Sequence, residues 1–193
     1  IVREKGLSQV SDTGAIAAFV KEAVAARKWA FAADWARFLA LEREGGFYLD
    51  YDVELVSSLD PLRERGPFVA GQWMPNGSVG LEPAVLALEK GSPIAEMMLA
   101  HYATAVFDGK TTAGERLMSI KPEGLMVLPP EVMCPIDIEG RLHRTERTVG
   151  IHWYAMSWAS PQRKLARWLS WHGCRGLVDA LVSIRRNLIK GER

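Results

Sequence analysis

Between residues 45 and 55 the chain alternates. Phe47, Leu49, Tyr51, Val53 and Leu55 are apolar or aromatic, and Tyr48, Asp50, Asp52 and Glu54 stand between them. A period of two belongs to a half-buried strand. The spacing therefore predicts one strand with the apolar set turned to a core, and with Asp50 and Asp52 leaving the backbone on the same side. Gly45 and Gly46 supply a helix stop and a tight entry, because glycine reaches positive φ at little cost. Two carboxylates one residue apart at the end of an apolar strand form a small hard-oxygen site. Magnesium or manganese suits such ligands, above all where a phosphate completes the shell. A solvated polar face on an edge strand is the plainer reading of a bare Asp-x-Asp, and only the flanking sequence shifts the balance.

The 193 residues are enough for one domain with a sizeable core. Apolar residues make up 48% and charged residues 24%, as in an ordinary globular chain, and a net charge of +1 gives no case for nucleic acid binding. Cys134 and Cys174 fit neither a metal finger nor a disulfide framework, so a reducing, cytoplasmic setting is expected. No apolar run reaches the length of a membrane span, and no signal peptide is visible.

Residues 1–5 read as the end of a strand. Ser11, Asp12 and Thr13 offer N-cap oxygens to a helical pattern carried by Ile16, Phe19, Val20 and Val24. A second helix is expected from Trp29 to Glu44. After the aspartate strand come a turn with a short helix at Ser58–Pro61, a buried strand over Pro67–Gln72 and a turn at Asn76-Gly77. Helices are expected over Glu82–Glu89 and Pro93–Val106, and strands over Leu125–Leu128 and Val149–Tyr154. From Pro161 to Lys190 the pattern is helical, with a break at His172-Gly173. Helices alternating with short strands make the class α/β.

Two further groups carry chemistry. Asp34 and Arg37 sit three apart on the second helix and share a face. An intrahelical salt bridge is the plain reading. In a cleft, Asp34 would accept hydrogen bonds from sugar or ribose hydroxyls and Arg37 would donate to a sugar or phosphate oxygen. His152 lies in an aromatic strand. It suits a divalent metal or a phosphate, although a satisfied core histidine is the commoner outcome. Ser157 and Trp158 offer a hydroxyl and an indole donor beside a diphosphate. Together these groups point to an enzyme that handles a nucleotide-linked substrate.

The run from Lys28 to Leu41, then Gly45-Gly46-Phe47-Tyr48-Leu49-Asp50-Tyr51-Asp52-Val53-Glu54, then Leu59-Asp60-Pro61-Leu62, resembles the DXD-containing glycosyltransferases. That family includes capsular polysaccharide synthesis enzymes and yeast-type α-mannosyltransferases. His152 to Trp158 is similar to its closing His-x-x-x-x-Ser-Trp element. Asn76-Gly77, Gly91-Ser92-Pro93 and Cys134-Pro135-Ile136-Asp137 fall where weaker blocks of the family fall.

The resemblance implies a GT-A-like nucleotide-binding sandwich with a mixed central sheet over residues 1–160, and the helical pattern adds a C-terminal segment over 161–193 packed on the same domain. The resemblance also implies a nucleotide-sugar donor, a Mn2+ or Mg2+ cofactor, a saccharide or lipid-linked acceptor, and transfer with retention. Asp50 and Asp52 would be the catalytic and metal-binding pair, with His152 as a further metal ligand. Asp34, Arg37, Tyr48, Tyr51, Ser157 and Trp158 would hold the donor. Thr112-Ala113-Gly114 stands where Thr-Gly-Pro is usual. The chain opens after the point where the family places a strand and loop that bind the nucleotide base. A non-catalytic sugar- or nucleotide-binding remnant of the same fold is the alternative.

Residues 160–193 carry eight basic and two acidic side chains, with Leu165, Trp168, Leu169, Leu177, Leu181, Ile184 and Leu188 at helical spacing. An amphipathic helix packed on the domain with a solvated basic face is the favoured reading. A peripheral membrane contact on anionic headgroups is the other.

Overall fold

Phe31, Trp35, Phe38 and Leu41 return every three or four residues and form the buried stripe of a sixteen-residue helix, α2 (Trp29–Glu44), which packs against α1 (Ala18–Ala25). The computed structural model describes residues 18–155 and, beyond them, residues 165, 168, 169, 173, 174 and 176. The expected strand end at residues 1–5, the caps at Ser11–Thr13, Ser157, Trp158 and all but those six positions of the C-terminal segment lie outside the described residues.

The helix α2 stops where Gly45 takes φ +66° and its N–H bonds to the carbonyl of Leu41. A Cβ at Gly45 would stand 2.5 Å from the backbone nitrogen of Lys90, so a side chain is excluded by space as well as by φ.

The elements that follow are β1 (Gly46–Leu49), β2 (Val53–Leu55), α3 (Asp60–Arg63), β3 (Phe68–Trp73), β4 (Val79–Leu88), α4 (Pro93–Thr104), α5 (Ala113–Ile120), β5 (Met126–Leu128), α6 (Pro130–Met133) and β6 (Gly150–His152). Four strands form a mixed sheet in the order β1–β4–β3–β5, antiparallel except for the parallel pair β3–β5. The strands β2 and β6 form a separate antiparallel ribbon. The architecture is α/β with a mixed sheet.

Alternate residues of the central strands feed two cores. Val69, Leu86 and Leu88 pack with α1, α2, α4 and Leu117 of α5. Phe68, Ala70 and Val85 pack with Leu62 of α3, Val132 and Met133 of α6, and Cys134 and Val149. Helix α5 begins with a capping box between Thr112 and Glu115, and Gly114 lets it approach β4 so closely that a Cβ there would overlap the carbonyl of Leu81.

Two expectations need correction. Glu82–Glu89 is not a helix; it is the second half of β4, the ten-residue central strand. Four of its positions from Ala84 to Leu88 are buried because β4 has a neighbour strand on each edge and a core on each face. An apolar run buried on both faces loses the period of two and cannot be told from a buried helix by pattern. The aspartate segment is likewise not one strand. The strand β1 ends at Leu49, residues 50–52 make a turn, and β2 runs on as part of the other ribbon. Its apolar set therefore does not all face a core: Tyr51 is 77% exposed and Leu55 is also outside.

Candidate functional site

The site forms where β1 leaves the main sheet. Leu49 is the last residue of β1 paired to β4, opposite Val85, and the Asp50 N–H then donates to the Ala84 carbonyl at 2.8 Å. On the other edge of β4 the register with β3 jumps from Val69–Leu86 to Ala70–Glu82, so Pro83, Ala84 and Val85 bulge out of that ladder. Carbonyls of this bulged segment are used by the site. Asp50 takes that of Ala84, and Nη1 of Arg37 donates to that of Pro83 at 2.6 Å.

Arg37 is buried and ties two carboxylates together. Its Nη2 lies 2.8 Å from Oδ1 of Asp34 and 3.6 Å from Oδ1 of Asp50. Its guanidinium carbon stands 4.7 Å above the Tyr48 ring, and the Tyr48 hydroxyl donates to Oδ1 of Asp50 at 2.7 Å. Burial pushes the Asp34 carboxyl up to about 6, against the pull of Arg37 and the N–H of Ala113, with Asp50 and Glu82 adding to the rise. Burial lowers the Arg37 pKa, but Asp34, Tyr48, Asp50 and Glu82 outweigh it and the net shift is upward.

Asp52 is clasped by the segment after β6. His152 Nε2 lies 3.4 Å from Oδ1 of Asp52, the Trp153 N–H donates to the Asp52 carbonyl at 3.0 Å, and the Ala155 N–H donates to Oδ2 at 2.6 Å. Burial raises the Asp52 carboxyl, but the His152 and Ala155 bonds outweigh it and the net shift is downward. Tyr154 adopts φ +51°, rare for a residue with a side chain, and its ring lies 4.0 Å from that of His152.

Asp50, Asp52 and His152 each offer one ligand atom, and these atoms lie within 4.8 Å of one another. The turn at 50–52 and the ribbon β2–β6, with Val53 opposite His152, bring them together across a hundred residues. The donor set fits manganese or magnesium: two carboxylates and one imidazole. The imidazole of His152 is not fully engaged by the protein: its Nδ1 is buried with no hydrogen-bond partner.

Sequence reasoning missed Glu82. It enters the site at the end of the bulge, and its carboxyl is pushed up by burial, with His152, the Ala84 N–H and Arg37 pulling it back and Asp50 adding to the rise. Pro83 was the available signal, because a proline inside an apolar run marks an edge or a bulge rather than a regular element. Four carboxyl groups, those of Asp34, Asp50, Asp52 and Glu82, thus surround one guanidinium and one imidazole. Tyr48 belongs here as a support beneath Arg37 and Asp50, whereas Tyr51 points to solvent between the aspartates.

Residues 6–69 match the family described as glycosyltransferase sugar-binding region containing DXD motif. The matched stretch carries Asp34, Arg37, Asp50 and Asp52 and ends in β3, before β4 and β6 add Glu82 and His152. No curated protein matches the chain. Among the described residues no helix is long and apolar enough to cross a membrane.

Proposed function

We propose that this chain is a metal-dependent glycosyltransferase with a GT-A-like fold, moving a sugar from a nucleotide-sugar donor to a saccharide or lipid-linked acceptor with retention. The observation that carries this reading is the convergence on one spot of Asp50 and Asp52, inside the DXD match, with His152, which lies outside it.

Asp50, Asp52 and His152 would hold Mn2+ or Mg2+. That ion would neutralise the charge that develops on a departing diphosphate. Its charge would offset much of the carboxylate surplus around Arg37 and so weaken the repulsion of a phosphate group. Asp34 accepts hydroxyl hydrogen bonds from the donor sugar. Arg37, committed to Pro83 and Asp34, holds the wall of that pocket in shape. An acceptor hydroxyl oxygen forms its bond to the anomeric carbon as the bond from that carbon to the diphosphate oxygen breaks. The electron pair of the broken bond leaves on the diphosphate, which takes the hydroxyl proton from the same face. Ser157 and Trp158 would add donors to the diphosphate, following the family resemblance. The site works by fixed charge and orientation more than by a protein nucleophile.

The test is a thermal-shift screen of uridine and guanosine diphosphate sugars with and without manganese, followed by a hydrolysis assay. A manganese-dependent shift with at least one donor, and turnover of that donor, is expected. Absence of any manganese-dependent binding sinks the reading.

A further inference from the structure

The clasp around Asp52 leaves one side chain that it does not use. Trp153 follows the candidate ligand His152, and its N–H is bonded to the Asp52 carbonyl, so its backbone cannot move independently of the cation site. The positive φ of Tyr154 turns the chain just after it, so that Tyr154 packs on His152 while Trp153 remains 45% exposed. The indole is held at its polar edge. Its Nε1–H donates to Oε2 of Glu54, across the β2–β6 ribbon, at 2.9 Å. A large aromatic ring held by its polar edge, with an open face, is a preformed surface rather than a loose side chain.

The chemistry of that surface suits one class of ligand. A pyranose ring has an apolar C–H face and a rim of hydroxyls. The indole offers a flat apolar face of similar size, and the Glu54 carboxylate at its edge accepts hydroxyl hydrogen bonds. Position separates this surface from the donor pocket. Asp34 and Arg37 are nearly enclosed, at 14% and 7% exposure of their side chains, whereas Trp153 is open to solvent beside Glu54 while its backbone is bonded to Asp52.

We propose that the outward face of Trp153, with Glu54 on its rim, is the subsite that stacks the saccharide ring of the acceptor. The proposal rests on the glycosyltransferase reading for the word acceptor, but not for the binding of a saccharide.

The experiment uses saturation-transfer NMR on the full chain with magnesium, with the methyl glycosides of glucose, galactose and mannose as probes, and calorimetry of manganese in parallel. At least one glycoside should bind wild type through its ring C–H protons. It should bind Trp153→Ala roughly tenfold more weakly and Trp153→Phe nearly as well as wild type. Trp153→Leu keeps apolar bulk without the aromatic face and should behave like the alanine variant, which covers the case in which Trp153→Ala does not fold. Manganese affinity should be the same in all folded variants. Equal glycoside binding by wild type and Trp153→Leu overturns the subsite, as does a manganese-binding wild type that takes none of the three. A wild type that fails to bind manganese sinks the glycosyltransferase reading instead, and a Trp153-dependent glycoside signal in that same sample would leave the stacking face standing.

Discussion

The backbone N–H of Ala155 donates to Oδ2 of Asp52 at 2.6 Å, joining residues 103 positions apart. One carboxylate thus does two jobs: it fastens the segment after β6 to the turn after β1, and it faces the candidate cation site. The two roles separate by substitution. Asp52→Asn keeps an oxygen for Ala155 and removes the charge. It should cost within about 1 kcal/mol of stability in urea, while manganese binding by calorimetry is lost. Asp52→Ala removes both and should unfold earlier than Asp52→Asn. Retained manganese affinity in the asparagine variant would show that the ion sits elsewhere.

Arg37 is the one guanidinium among buried acids. Replacing it with Met leaves Asp34, Asp50 and Glu82 facing one another without a counter-charge, and removal of one partner from a buried ion pair costs roughly 3–5 kcal/mol. Arg37→Lys should rescue little, since one ammonium cannot reach both the Pro83 carbonyl and Asp34 in the arrangement the planar fork allows. Adding Asp34→Asn to Arg37→Met should recover part of the loss. Additive losses in the double variant, read by urea unfolding, would mean that the pair is not coupled.

Much of this arrangement is legible in the chain before folding, and the exceptions have physical causes. Helix α2 was readable to its last residue because its stripe is one-sided and Gly45 must end it. The strand β4 was not, because burial on both faces erases alternation, and with it went Glu82, which reaches the site only through the bulge. Asp50, Asp52 and His152 were readable as residue types in a family-like spacing. That they meet through a turn rather than along one strand was not readable, because strand pairing of β2 with β6 is a long-range choice. The intrahelical salt bridge between Asp34 and Arg37 exists, and it is nearly buried, which spacing along a helix cannot reveal.

Asp34 gives the protein a pH signature. Its folded pKa of about 6 lies above the model-peptide value of 3.8, so the folded state binds the proton more tightly than the unfolded state. Stability linked to this group is therefore full below about pH 4, falls as pH rises through about 6, and is flat above. The size is up to roughly 3 kcal/mol, from about two units at 1.36 kcal/mol each. Asp52 has the opposite sign: its lowered pKa contributes stability at neutral pH that is lost on acidification. Asp34→Asn should remove the fall, so the variant gains on wild type between pH 4 and pH 7 in urea titrations. Parallel curves would rule out this assignment.

Tyr48→Phe tests whether Asp50 needs to be held. The ring stays beneath Arg37, and only the 2.7 Å bond to Asp50 disappears. Stability should change by no more than about 1 kcal/mol. Manganese affinity should fall about tenfold, as when a partner of a metal ligand is removed. An unchanged affinity would leave Tyr48 as packing alone.

Glu82→Gln separates stability from function at the same site. The amide oxygen still accepts the Ala84 N–H at the position of Oε1, and the buried charge next to Asp50 is gone. Because burial and the neighbouring acid penalise the ionised form, the neutral variant should be at least as stable as wild type at pH 7. The same change weakens the negative field around His152, so manganese affinity should drop while the midpoint in urea rises. A variant that loses stability instead would show that the Glu82 charge is needed as a counter-ion for Arg37, and the excess of acid at this site would then be a structural device rather than a provision for a cation.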